Sequence, residues 1–165
     1  VRHPTMSGPD DSPCPQLASA PQRFEPGPLL ADASAWDQTP FFKWMGMRVL
    51  DAEAGRGRLV LDVQDHHRGG GGTVAVNGGV LAYMLDAVVG LAVHTSNHPD
   101  TVGQVTLSLN VEYLAPMMVA RQIIGEGEVV RRGGSLAFVD GRLYADDGSV
   151  ACRAHAVLRV FRRRA

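Results

Sequence analysis

The chain has 165 residues, 45% of them hydrophobic, and a formal net charge of -1. This length and composition predict about one compact domain, and the near-neutral charge disfavours nucleic acid as the main partner because nucleic-acid-binding domains usually carry a basic excess. No apolar run approaches the roughly 20 residues that cross a bilayer, and the sequence begins without the pattern of a signal peptide, which predicts no membrane association and a cytoplasmic location. The two cysteines, Cys14 and Cys152, predict neither a disulfide framework nor a cysteine metal site.

The first part of the chain differs in composition from the rest. Seven of the ten prolines precede residue 40 and large apolar residues are few, so residues 1–37 are predicted to be a flexible arm and residues 38–165 the folded domain. The apolar cluster at residues 41–45 predicts a short helix. Two strands are predicted next, at residues 47–54 and 56–63, around a turn at Gly55.

A glycine-rich segment separates these strands from the strongest helical pattern. Residues 64–76 contain four consecutive glycines, which favour a mobile loop. Asn77 is a good N-cap, and apolar residues then recur at helical spacing until about residues 94–97. Four runs with strand character follow, at residues 103–114, 122–132, 135–145 and 150–161. The order predicts an α+β domain in which one long helix lies on an antiparallel sheet of five or six strands.

The helix carries a second stripe beside its apolar one. Gly79, Tyr83, Asp86 and Gly90 follow at helical spacing, so they share one side. Helical glycines cost stability relative to alanine and permit close approach of another backbone or a ligand. Asp86 is therefore a candidate nucleophile or general base, and the alternative is a solvated polar position on an amphipathic helix.

Two segments resemble a known family. Residues 77–86, with Asn77, Gly78, Gly79 and Asp86, and residues 106–116, with Thr106, Tyr113 and Pro116, resemble the PaaI-like family of hotdog-fold acyl-CoA thioesterases. The resemblance implies a hotdog fold with a curved sheet, and a homodimer that pairs again into a dimer of dimers. It also implies hydrolysis of acyl-coenzyme A to a free acid and coenzyme A, with no separate cofactor and no metal.

The resemblance also implies roles for individual residues. The N–H groups of Gly78 and Gly79 at the helix start would hold the thioester oxygen, Asp86 would activate water or attack the carbonyl, and Thr106 would orient that water. The family histidine is Asn77 here, and the asparagine usually found about six residues earlier falls at Gly71. Asn77 is a candidate for supplying the missing amide.

The resemblance also implies a coenzyme A site made of two groups of residues. The first group is Tyr113 and Pro116, and the second is Arg131, Arg132, Gly133, Gly134, Ser135 and Leu136. Arginine beside a glycine turn suits phosphate, although an ordinary hairpin turn explains the second group equally well. Arg159 and residues 162–164 could also meet phosphate, but a basic run at this position is more often simply solvated.

Histidine spacing and apolar clusters offer further interpretations. His94 and His98 are spaced as a metal pair, and residues 62–67 hold two aspartates and two histidines, but no third ligand is evident beside the first pair, so no metal site is predicted. The aromatic residues at 41–45 and Met84 suggest a medium-chain or aromatic acyl group, with ordinary core residues as the alternative. A hotdog hydratase or dehydratase and a non-catalytic acyl-CoA-binding module are the rival functions.

The spacing along the helix predicts a site shared by two subunits. Asn77 and Asp86 are nine positions apart, which in a helix is a rise of about 13.5 Å and a rotation of about 180°. One helix cannot direct both residues at one carbonyl. If both act on the thioester, a symmetric partner must supply one of them.

Overall fold

The computed structural model describes residues 33–70, 72–118 and 121–163. The elements in chain order are a 3-10 helix at Ala33–Gln38, α1 at Pro40–Met45, β1 at Met47–Glu53, β2 at Arg56–Asp62, a 3-10 turn at Asp65–His67, β3 at Arg68–Gly70, β4 at Thr73–Val76, α2 at Gly78–His94, β5 at Thr101–Tyr113, β6 at Gln122–Arg132, β7 at Leu136–Tyr144 and β8 at Val150–Arg162. The predicted α+β class and the single long helix are confirmed.

The main sheet has six antiparallel strands in the order β1-β2-β6-β7-β8-β5. Helix α2 contacts all six of them, and ten of its 17 residues are buried. The long strand β5 forms one edge of the sheet. The predicted strand boundaries agree with the observed ones within about two residues at each end.

A row of small residues makes room for α2 on the sheet. Gly57 pairs with Gly127, Gly127 with Gly141, and Gly141 with Ala154, so the row crosses four neighbouring strands. A Cβ added at Gly127 would lie 2.5 Å from the Val88 carbonyl oxygen of the helix. Strand glycines often mark such a close backbone approach, and here they let the helix backbone lie against the sheet.

We expect Gly127→Ala to lower the free energy of unfolding by about 2–3 kcal/mol, the upper part of the usual cost of overpacking a core. The reason is that backbone, which cannot rotate away as a side chain can, opposes the added methyl group. Urea denaturation followed by circular dichroism measures the loss. Gly134→Ala is the matched control, since nothing lies within 4 Å of the added Cβ. Equal stability of the two variants would contradict this account of the row.

The predicted loop at residues 64–76 is more ordered than expected. It holds a 3-10 turn followed by the hairpin β3–β4, in which Arg68 pairs with Val76 and Gly70 with Thr73. Gly69 and Gly72 have positive φ values of 93° and 77°, which favour glycine. The glycines thus turn the chain so that flanking residues pair, and a short hairpin forms within the segment that was predicted to be a mobile loop.

The described structure extends five residues into the predicted arm. Trp36 of the first 3-10 helix packs against the core and contacts the ring of Phe42 edge-on. The Val49 N–H donates to Asp37 Oδ1 at 2.7 Å. Trp36 and Asp37 therefore contact the folded domain, and residues 1–32 of the predicted arm lie outside the described residues.

Candidate active site

Asp86 and Thr106, which the sequence places 20 residues apart, are hydrogen-bonded partners. The Thr106 hydroxyl donates to Asp86 Oδ1 at 2.8 Å. In the described part of the chain, Oδ2 has no hydrogen-bond partner. One carboxylate oxygen is thus fixed and the other is available to a ligand or to water.

A β-bulge in β5 gives Thr106 its orientation. Thr106 pairs with Leu158 and Ser108 with Val157, so Leu107 is an extra residue in the ladder. Side chains alternate between the two faces along a regular strand. Without the bulge, residues 106 and 113 would lie on opposite faces, because an odd number of positions separates them. The bulge restores both Thr106 and Tyr113 to the helix side of the sheet, as bulges near active sites commonly do.

Asp86 is half-buried and lies among apolar and aromatic residues. Asp86 is the one acidic residue of α2, and the helix is otherwise apolar and mostly buried. It lies in a pocket of about 460 Å³ beside Tyr83, Gly90 and Gln104. Burial and the neighbouring Asp86 carboxylate raise the pKa of Tyr83, so the phenol stays neutral at physiological pH. A largely apolar pocket with a few polar groups is the usual setting of a ligand site, so this pocket is the candidate site around Asp86.

The start of α2 presents one N–H group to an incoming ligand. Asn77 is the N-cap, and its side-chain oxygen accepts from the Gly79 N–H at 2.8 Å. Among the described residues, the Gly78 N–H has no acceptor. Of the two predicted oxyanion donors, Gly78 is therefore available, and Gly79 is committed to the cap.

Asn77 anchors the glycine-rich segment to the helix. Its side-chain amide donates to the Gly69 carbonyl at 2.8 Å, and its own N–H donates to the His67 carbonyl at 2.8 Å. His67 is fixed in turn, because it is buried and its Nδ1 accepts from the Gln64 N–H. Burial lowers the pKa of His67, which keeps the ring neutral at pH 7. The prediction that gave Asn77 a role toward the thioester carbonyl did not include this anchoring function.

Tyr113 and Pro116, predicted to bind coenzyme A, lie beside the start of α2. The Tyr113 hydroxyl donates to the Gly78 carbonyl at 2.8 Å. Together with Asn77, these residues line a second pocket of about 380 Å³. Asp86 and Thr106 line the first pocket, not this one. One chain therefore carries two separate half-sites.

The other predicted coenzyme A residues lie at the opposite end of the helix. The hairpin at residues 131–136 contacts the segment after α2, where Arg132 Nη2 donates to Asn97 Oδ1 at 2.8 Å. Seventeen helical residues span about 25 Å, so one chain does not bring this hairpin to Tyr113. Burial lowers the pKa of Arg132, which is used inside the fold, whereas Arg131, Gly133, Gly134 and Ser135 are exposed and Leu136 is half-buried.

The remaining basic and histidine residues have other partners. Arg159 lies over the Phe161 ring at 5.5 Å, and Arg162 lies 3.8 Å from Asp100. His98 pairs with Asp100, while the His94 ring contacts Trp36. No cluster of three or more metal-ligand side chains occurs in the described part of the chain. Arg164 lies outside the described residues.

Sequence reasoning missed five residues of the Asp86 pocket, namely Trp36, Ala87, Gln104, Val105 and Leu158. Gln104 lies two positions before Thr106 on the same face of β5, a spacing that could have identified it. Trp36 and Leu158 carried no comparable signal, because they reach the pocket from distant parts of the chain.

One long helix on a six-stranded antiparallel sheet is the architecture of hotdog thioesterase folds. The Thioesterase superfamily model matches residues 75–152, which include α2, Asp86, Thr106 and Tyr113. The resemblance found in the sequence is thereby confirmed at the level of the thioesterase superfamily. No curated protein sequence matches the chain significantly.

Solved structures of thioesterases have the same fold. A thioesterase-superfamily protein known from an X-ray structure is 26% identical, with a TM-score of 0.68 over 79% of this chain and 96% of its own. A thioesterase family protein from Silicibacter pomeroyi is 20% identical, with a TM-score of 0.71 over 78% and 94%. The PaaI protein of the phenylacetic acid degradation operon of E. coli is 13% identical, with a TM-score of 0.68 over 76% and 87%.

No helix within the described ranges is long and apolar enough to cross a bilayer.

Proposed function

We propose that this protein hydrolyses acyl-coenzyme A thioesters to a free acid and coenzyme A. The observation that carries the proposal is the Asp86 carboxylate, fixed through one oxygen by Thr106 at 2.8 Å and open to a ligand through the other. The fold is that of thioesterases, which supports thioester hydrolysis as the reaction class. The coenzyme A handle and the acyl group are the finer parts of the proposal.

The chemistry requires a base and a donor for the carbonyl oxygen. Asp86 takes a proton from water as the water oxygen bonds to the thioester carbon, and the Gly78 N–H at the helix start stabilises the negative charge on the carbonyl oxygen. The carbon–sulfur bond then breaks with its electron pair going to sulfur. The leaving thiolate takes the proton from Asp86, which restores the carboxylate. Direct attack by Asp86, followed by hydrolysis of the anhydride, uses the same groups.

A homodimer would unite the two half-sites. Gly78 and Asp86 are eight positions apart, a rise of about 12 Å along one helix, and they line different pockets of one chain. The 13-residue edge strand β5 carries Leu107 with 57% of its surface exposed. Long unpaired edges favour pairing with another strand, and two β5 edges related by a two-fold axis would continue the sheet. Each site would then take Gly78 from one subunit and Asp86 from the other, and pairing of two dimers would give the tetramer.

Mixing two inactive variants should restore activity if the site is shared. Asp86→Asn and Gly78→Pro each disable one half-site, so a mixed dimer holds one site with both defects and one with neither. Random exchange of equal amounts makes about half of the dimers mixed, which returns about a quarter of wild-type activity. The measurement is thiol release after subunit exchange, with mixed dimers verified by two affinity tags. Verified mixed dimers that stay as inactive as their parents would mean that each site draws both residues from one chain.

The rival with a specific observation in its favour is an acyl-CoA-binding module without turnover. Asn77 replaces the family histidine, and its side chain is engaged by Gly69 and Gly79. Release of free thiol from short, medium, long and aromatic acyl-coenzyme A esters separates the two functions. Turnover above the spontaneous rate supports the hydrolase, and tight binding without turnover supports the module.

A further inference from the structure

The pocket beside Asp86 is lined in part by a residue from outside the sheet and the long helix. Trp36, from the 3-10 helix at Ala33–Gln38, lines the pocket together with Phe42 and Tyr83. Phe41 extends this aromatic lining by contacting Tyr83, with ring centroids 4.6 Å apart. Apart from Asp86, Thr106 and Gln104, the lining is apolar or aromatic, which suits an uncharged organic group.

Trp36 is placed one helical turn beyond the carboxylate. Its ring atom Cη2 would lie 3.6 Å from a Cβ built on Gly90. Asp86 and Gly90 are four residues apart, a rise of about 6 Å. A methyl group at position 90 would be in ordinary van der Waals contact with the indole, so Trp36 lies close against the helix at this turn. The indole therefore lies about one helical turn from the carboxylate.

The indole is held in place by contacts on several sides. The Trp36 carbonyl accepts from the Thr39 N–H at 3.0 Å and from its hydroxyl at 2.8 Å. Asp37, the next residue, accepts from the Val49 N–H. The Trp36 ring contacts Phe42 and His94, each with centroids 5.8 Å apart. Such fixed packing makes an end wall rather than a side chain that moves aside for a longer ligand.

Gln104 completes the wall from the sheet side. Its Nε2 donates to the Gly90 carbonyl at 2.7 Å, and its Oε1 accepts from Asn97 at 2.8 Å. Asn97 in turn accepts from Arg132, so this chain of hydrogen bonds runs from the pocket to the hairpin after β6. The amide is thus fixed beside the indole.

We propose that Trp36 is a specificity-determining residue that limits the length of the acyl group. This inference rests on the proposed function, since it places the thioester at Asp86 and the acyl group between Asp86 and Trp36. Aromatic and short acyl groups fit this space, and long chains meet the indole.

The test compares rates for acyl groups of different length. We expect Trp36→Ala to raise the ratio of kcat/KM for palmitoyl-coenzyme A to that for phenylacetyl-coenzyme A by about tenfold or more, because contacts in an apolar pocket discriminate by about that factor per methylene. Trp36→Phe should give an intermediate ratio. Trp44→Ala is the matched control, since Trp44 is 63% exposed and does not line the pocket. A ratio within twofold of wild type in folded Trp36 variants would overturn the proposal.

A second measurement is independent of turnover and of the stability of the Trp36 variants. The chain has two tryptophans, so Asp86→Asn combined with Trp44→Phe leaves Trp36 as the single tryptophan emitter. We expect phenylacetyl-coenzyme A to shift its emission and free coenzyme A to leave it unchanged. An emission shift without hydrolysis of any ester by the wild type would refute the proposed hydrolase and retain the acyl pocket. Hydrolysis by the wild type without an emission shift would refute the role of Trp36 and retain the hydrolase.

Discussion

Asp86→Asn should lower kcat for thioester hydrolysis at least about a hundredfold while the protein stays folded, because loss of a general base typically costs about 10² to 10⁴ in rate. Asparagine has nearly the same shape and can still accept the Thr106 hydrogen bond, but it cannot take a proton from water or attack the carbonyl. Thiol release on the best ester of the panel measures the effect, and the melting temperature checks the fold.

The control for this prediction removes a carboxylate elsewhere. Glu53→Gln changes an exposed acidic residue at the end of β1 and should leave kcat unchanged. If Asp86→Asn melts normally and retains more than a third of wild-type turnover, Asp86 is neither the base nor the nucleophile. The function would then need another group, and the binding module would become the better interpretation.

Gly78→Pro should lower kcat about 10² to 10³-fold, the usual effect of removing one oxyanion donor. Proline lacks the N–H and is well tolerated at the first position of a helix, which Gly78 occupies. Proline also requires an extended residue before it, and Asn77 already has φ −59° and ψ 134°. The substitution therefore deletes a single donor with little disturbance of the backbone.

Gly78→Ala separates the lost donor from crowding. Both substitutions place a Cβ 3.4 Å from the Tyr113 ring, but alanine keeps the N–H. We expect the alanine variant to retain most of the wild-type kcat. Equal losses in the two variants would assign the effect to crowding against Tyr113 and would remove Gly78 from the oxyanion site.

The elements of this fold could be predicted because their signals are local. The apolar spacing and the N-cap Asn77 located α2, and turn residues such as Gly55 and Gly148 separated the strands. Sheet order could not be predicted in the same way, since it depends on contacts between distant strands. The row of Gly57, Gly127 and Gly141 could not be predicted either, because these glycines become neighbours only when the three strands pair in register.

For the site, the individual residue types could be recognised and their arrangement could not. Asp86 and Thr106 were both identified from the sequence, and the structure brings them together. The bulge at Leu107 and the cap that occupies the Gly79 N–H depend on backbone geometry that no short pattern specifies. Trp36 was missed because an isolated aromatic residue in a proline-rich stretch predicts nothing by itself.

The row of small residues beneath α2 has a consequence for how this chain can change over evolutionary time. Because main chain contacts main chain at Gly127 and Val88, the position of the helix over the sheet is set by backbone thickness and is independent of which apolar side chains fill the space around it. Asp86 is carried by the helix and Thr106 by the sheet, so their hydrogen bond depends on that spacing. Core side chains can therefore be substituted over time without separating Asp86 from Thr106, as long as the residues of the row remain small. In a scaffold of this kind the relative position of the reactive groups does not depend on most of the side chains. The same fold is accordingly found in proteins that are 13–26% identical to this chain.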